Sequence, residues 1–273
     1  FIDPNERTSL TDRNEAPIDS TPRALLAQLA LVLARVLPIA ALAPFLGGRT
    51  VPPLVRVGVG ASVAVLALPH ATLPGDTRWL EPFPYVGHLV IETTRGLVLG
   101  FAAALVFWLA ESAGRALDIA RGANLAEVQA PALGHRASPL GQLAFFLFLI
   151  VFCRLDGPAH FLSSVFESFR WMPVGEPFDD FTVEAILRHA SELLGAIVGL
   201  VLPGIAAALL VDLVFGAFNR IAPALNAYFL ALGGKALAVV AVLLVTLGVV
   251  VDRAPSLLVR TLALVETLAR SGQ

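Results

Sequence analysis

Nearly every long apolar segment of this chain carries an ionisable side chain, and that pattern constrains the fold more than any motif does. Arg35 lies within residues 24–46, Arg56 within 51–69, Glu92 and Arg95 within 86–110, Asp212 within 185–218 and Lys235 within 221–251. A charge at the centre of a spanning helix costs roughly 2.5–3.5 kcal/mol on insertion scales, so such residues face a partner or water rather than lipid. Glu92 and Arg95 stand three residues apart and can neutralise each other on one helix face. Arg35, Arg56, Asp212 and Lys235 have no neighbour of opposite sign within one turn. They are expected to find partners on other helices or other chains. The helices that carry them then pack against protein, and much of their surface is contact surface.

Composition places those segments in a membrane-type protein. The chain has 273 residues, 57% hydrophobic and 15% charged, against about 45–50% and about 25% for a soluble domain. Too little charge remains to cover a water-exposed surface. A net charge of −2 gives no field that would attract nucleic acid. Cys153 is the only cysteine, which excludes a disulfide scaffold. No strand alternation is sustained, so the fold class is all-α and polytopic.

Residues 1–22 differ from the rest. They are acidic, proline-bearing and without apolar period, and read as a disordered polar tail ahead of one helical domain over 23–273. No short apolar core with a small-residue cleavage site follows a basic start, so the tail does not read as a signal peptide. As spans the segments are poor, since a crossing takes about 20 mostly apolar residues. The first contains Pro38, the second opens on Val51-Pro52-Pro53, and 138–153 is short. Residues 193–211 are free of charge, but Pro203 is expected to interrupt them. Turns are expected over 69–84, around Asp156-Gly157-Pro158, and over 218–223. Residues 256–270 are amphipathic, with Leu258, Leu262, Val265 and Leu268 opposite Arg260, Glu266 and Arg270, and could lie on a membrane surface or a partner.

The densest polar stretch is 111–121. Glu111 and Arg115 stand at i,i+4; Arg115 and Asp118, and Asp118 and Arg121, stand at i,i+3. They form a ladder of alternating sign along one stripe, ending at the helix stop Gly122-Ala123-Asn124. A solvated face is the plain reading of such a ladder. Gly114 and Ala113 within it suit close packing. Gly96 and Gly100, like Gly195 and Gly199, are spaced for close helix approach, a signal that chance also produces in a glycine-rich chain. Catalytic signatures are missing: no HExxH, GxSxG, CxxC or Walker loop occurs, and the five histidines share no ligand spacing. The chain is read as a non-enzyme with no cofactor and no metal. A lysine in an apolar setting can act as a nucleophile, yet Lys235 has no acid or base beside it and reads as half of an ion pair.

Several stretches resemble the SctT/FliR family of bacterial type III secretion and flagellar export proteins. The first is Val51-Pro52-Pro53-Leu54-Val55-Arg56-Val57-Gly58. The next are Glu92-Thr93-Thr94-Arg95-Gly96 with Gly100-Phe101, Gly114-Arg115-Ala116-Leu117-Asp118-Ile119-Ala120-Arg121-Gly122-Ala123, and Ser138-Pro139-Leu140-Gly141. The most specific is Asn219-Arg220-Ile221-Ala222-Pro223-Ala224-Leu225-Asn226, followed by Lys235 where the family carries a lysine. Ala224 stands in place of a usual Gln, and Gly233-Gly234 in place of Met-Pro. The likeness runs from residue 24 to about 270 and leans to the virulence-type branch (SctT, SpaR, YscT, HrcT).

The resemblance implies a bundle of bent helical hairpins in the bacterial inner membrane, in contact with lipid and with other export apparatus proteins. It implies assembly with SctR/FliP-type and SctS/FliQ-type subunits into a portal for unfolded polypeptides. On that reading Glu111, Arg115, Asp118, Arg121, Asn219, Arg220, Pro223, Asn226 and Lys235 are assembly contacts, while Glu92, Arg95 and Asp212 belong to ion pairs of the intramembrane kind. The rival reading is a secondary transporter that uses its buried charges as an ion relay. The lack of interrupted helices in two matching halves argues against it.

Overall fold

The computed structural model describes residues 22–46, 51–71, 77–123, 138–174, 181–221 and 227–270. The predicted tail therefore lies outside the described residues except for Pro22, as do Pro223 and Asn226. The described elements are helical: α1 (Pro22–Leu42), α2 (Pro53–Ala67), α3 (Pro82–Ala120), α4 (Pro139–Arg154), α5 (Gly157–Trp171), α6 (Phe181–Ile221) and α7 (Ala227–Arg270), with short 3₁₀ turns at Pro44–Leu46, Leu68–His70 and Thr77–Leu80. Among the described residues five helices are long and apolar enough to cross a membrane, and a sixth crossing arises if the bent pair α4 and α5 counts as one span.

Local chemistry explains the breaks. Pro52 is extended, as a residue before proline must be, and Pro53 opens α2 where the missing N–H costs nothing. Ser138 caps α4 by accepting from the Gly141 N–H at 3.2 Å, with Pro139 in the first turn. Helix α3 ends in a Schellman motif. Gly122 takes φ +80, the Ala123 N–H bonds the Asp118 carbonyl at 3.0 Å, and the Gly122 N–H bonds that of Ile119 at 3.0 Å. Between α4 and α5, Asp156 adopts φ 52 and the axes bend by 73°. A Cβ on Gly157 would overlap the Phe152 ring.

Two expectations change. Pro203 does not end its helix, because α6 runs unbroken for 41 residues, as α7 does for 44 through Pro255. Proline is tolerated within such helices when neighbouring groups re-satisfy the freed carbonyl. A 44-residue helix is about 66 Å long, roughly twice the hydrocarbon thickness of a bilayer. No bilayer covers it from end to end. The amphipathic segment 256–270 is the far end of α7, and its apolar face is buried within the chain: Leu258 is 1% and Val265 0% exposed.

The chain divides into two compact units, each described by itself. Residues 1–100, 165–179 and 269–273 form one; 101–164 and 180–268 form the other. In the first, α2 lies on α1 through Gly60, Ala64 and Ala67, a Cβ on Gly60 falling 3.0 Å from Leu37 Cδ2. Leu31, Trp79 and Val174 pack together with Tyr85 and Leu89 around them. In the second, Leu117 of α3 meets Val201 and Ala208 of α6 and Val239 of α7. The Phe107 ring meets Phe152 edge-on at 5.4 Å.

Candidate functional site: buried ion pairs and an exposed helix end

The first cluster grows from a close helix crossing. A Cβ on Gly96 would overlap the Arg35 carbonyl, and one on Gly100 would lie 3.0 Å from Ile39 Cα. Only glycine lets α3 press this near to α1, and the crossing brings Arg35 level with Glu92, one turn before Gly96. Arg35 Nε donates to Glu92 Oε2, and Arg95 Nη1 donates to Glu92 Oε1 at 3.0 Å. The Arg35 guanidinium also lies 4.1 Å from the centroid of the Phe169 ring. Arg35, Glu92 and Arg95 are 0%, 0% and 1% exposed. Arg35 thus finds its counter-charge on another helix of its own chain. Glu92 and Arg95 pair with each other within the chain and are buried in it.

The ladder of 111–121 is not one solvated stripe. Arg115 pairs with Glu111 at 2.8 Å near the surface, their side chains 47% and 26% exposed. Asp118, one turn on, is buried. Its Oδ2 accepts from Ser138 Oγ at 2.7 Å and from the Leu140 N–H at 3.0 Å, and its Oδ1 from Arg121 Nε at 2.8 Å. A carboxylate at the first turn of α4 satisfies an orphan N–H and complements the positive helix end. Gly114 permits the crossing, because a Cβ there would strike the Leu140 carbonyl. Spacing within 111–121 shows the charges; it does not show that Ser138, twenty residues on, completes the group.

The third cluster is on the α6–α7 hairpin. Lys235 Nζ lies 3.0 Å from Asp212 Oδ1, the side chains 14% and 48% exposed. Asn219 and Arg220 are exposed at the end of α6, and Arg220 has no ion-pair partner among the described residues. Large apolar side chains of the same two helices are exposed: Leu209, Leu210, Leu213, Val214, Phe218 and Ile221 on α6, with Phe229, Leu230 and Leu237 on α7. Arg56 reaches the Val51 carbonyl at 3.3 Å. Sequence reasoning missed His189, whose Nε2 lies 3.1 Å from Thr261 Oγ1. That hydroxyl donates to the Leu257 carbonyl, so the ring N–H donates to it. A lone histidine in an apolar helix carries no signal for such a partner. Among the described residues no group of three or more His, Cys, Asp or Glu could hold a metal ion.

Long apolar helices that match their own buried charges, with further apolar surface left open, define a multi-pass membrane protein. Residues 26–260 match the model of the bacterial export proteins, family 1, and the chain belongs to that family. It is similar to the secretion system apparatus protein SsaT of Salmonella typhimurium, 29% identical over 222 residues, 80% of this chain and 86% of that protein. It is similar to the Yop proteins translocation protein T of Yersinia pestis, 30% identical over 197 residues, 70% and 74% of the two chains. It is also similar to the flagellar biosynthetic protein FliR of Escherichia coli, 27% identical over 197 residues, 72% and 75% of the two chains.

Proposed function

We propose that this chain is a structural subunit of a type III secretion export gate in the bacterial inner membrane, of the virulence-type branch. It assembles there with SctR/FliP-type and SctS/FliQ-type subunits around the path of unfolded polypeptides, and its role is architectural rather than catalytic. Family membership supports the export role. The observation that carries assembly is the α6–α7 surface, where a half-exposed ion pair sits among open leucines and valines. Hydrocarbon would leave Asp212 and Lys235 poorly solvated, and water would leave Leu213, 70% exposed, uncovered. A protein surface with both apolar and polar groups suits both demands.

In this reading Asp212, Lys235, Asn219, Arg220, Pro223 and Asn226 face neighbouring subunits, with Glu111 and Arg115 as a second contact and Arg121 at its edge. Glu92, Arg95 and Asp118 hold the chain in the shape those contacts need. Co-expression with the two partner types, followed by mild detergent extraction, is expected to yield one complex containing all three. Partner oligomers that always lack this chain, or solute uptake by the purified chain alone in liposomes, would overturn the reading.

A further inference from the structure

Charge divides the α6–α7 hairpin into levels. Residues 193–211 of α6 and 236–251 of α7 carry no charge and are about 28 Å and about 24 Å long. Glu192 and Asp252 close these stretches at one end. Asp212 and Lys235, 3.0 Å apart, close them at the other. The hydrocarbon core of a bilayer is about 30 Å thick, so a bilayer that takes up both charge-free stretches ends at the Asp212–Lys235 pair. Its headgroup layer reaches only about 5–8 Å farther. The helices continue past it. Phe218, Ile221 and Leu230 lie roughly 8–14 Å beyond the pair along the helix axes, and they are 54%, 81% and 54% exposed. Lipid tails do not reach that level and water does not favour it, so the tip calls for cover by protein.

Arg220 shares the tip, about 12 Å past Asp212. An arginine in a last helical turn complements its own helix end, yet Arg220 makes no hydrogen bond or ion pair among the described residues. Asp212, Gly216 and Arg220 follow one another at four-residue steps along one side of α6. A Cβ on Gly216 would meet nothing within 4 Å, which leaves room for a neighbour to lie close between the two charges. Asp212 is matched by Lys235 of its own chain, and Arg220 is the charge left to be matched from outside. A guanidinium covered by an apolar surface needs a carboxylate within that surface, because an unpaired charge there is costly.

We infer that the tip of the hairpin, beyond the Asp212–Lys235 pair, docks a neighbouring subunit through an apolar face that carries one carboxylate, and that this carboxylate pairs with Arg220. The inference rests on the export-gate reading and names the chemistry of the partner at the α6–α7 surface.

Charge exchange in the full chain, co-expressed with both partner types and extracted in mild detergent, tests it. With Arg220 native, all three subunits are expected in one complex; a native chain that never recovers its partners refutes the export-gate reading, and this inference with it. Arg220→Glu is expected to leave chain level unchanged, since the side chain is exposed. It is expected to cut recovery of the partners at least about tenfold, as loss of one member of a covered charge pair does. Each Asp and Glu of the partner subunits is then changed to Arg in turn. One such change is expected to restore recovery with Arg220→Glu and to lower it with native Arg220. Native recovery by Arg220→Glu alone would overturn the inference and leave the export-gate reading standing. So would a loss that no partner change restores, the outcome expected if Arg220 meets lipid phosphate instead. Should Arg220→Glu not accumulate, Arg220→Gln decides, with each partner acid changed to its amide as the rescue: restored recovery supports the pair, and its absence refutes it.

Discussion

Glu92→Gln should be among the most damaging single isosteric changes in the chain. The amide keeps the shape and volume of the carboxylate, so packing is preserved and the loss is electrostatic. Two arginines, 0% and 1% exposed, would lose the carboxylate that both of them contact. Removing one partner of a buried pair costs about 3–5 kcal/mol. One carboxylate here serves two cations, which keeps the expected loss at the upper end of that span. Total stabilities are only about 5–15 kcal/mol, so the variant should approach the threshold of folding. Glu111→Gln is the matched control: it removes an ion pair whose side chains are 47% and 26% exposed, and surface pairs are worth about 0–1 kcal/mol. Chain level in the membrane fraction and the temperature of aggregation in detergent, read by fluorescence-detected size exclusion, give both values. Glu92→Gln should lower both sharply and Glu111→Gln neither. Equal behaviour of the two variants would show that the buried cluster does not stabilise the fold as argued.

Other outcomes separate close helix crossings from open surfaces. Gly96→Ala places a Cβ into the Arg35 carbonyl and should cost about 1–3 kcal/mol. Gly195→Ala meets nothing within 4 Å and should be neutral or stabilise by up to about 1 kcal/mol; detergent melting temperatures check both. Asp118→Ala removes the acceptor of two bonds from the start of α4 and should cost about 1–3 kcal/mol. Ser138→Ala, the cap itself, should cost about 1 kcal/mol. Arg220→Ala should leave chain level and melting unchanged yet abolish recovery of the partner subunits and secretion, which co-purification and a secretion assay read out. Secretion at the native level would remove Arg220 from the assembly surface if Arg220→Ala shows it, and would show that the Asp118 anchor is not needed for assembly if Asp118→Ala does.

Sequence patterns showed what the backbone decides locally. Gly122 as a helix stop and the turn at Asp156-Gly157-Pro158 each follow from a few adjacent residues whose φ preference is strong. Charges inside apolar segments were equally visible, because an unpaired guanidinium there is costly wherever the helix goes. Their partners were not. Arg35 and Glu92 are 57 residues apart, and nothing periodic links them; only the crossing at Gly96 and Gly100 does. That crossing has the same glycine spacing as Gly195 and Gly199, which face open space. Spacing alone does not distinguish a glycine that another backbone presses against from one that nothing touches. Pro203 did not end its helix, and the apolar face of the end of α7 is buried within the chain, neither of which the local pattern shows.

The claim on which the rest depends is that the open face of α6 and α7 is covered by other proteins, the chain having matched its deep charges internally. A photo-crosslinking residue placed at Leu213, in intact membranes with the secretion genes present, tests this most directly. Discrete adducts with small hydrophobic subunits, absent when those subunits are deleted, are the expected result. A crosslinker at Leu213 that reacts with lipid alone, in cells that secrete normally, would contradict it.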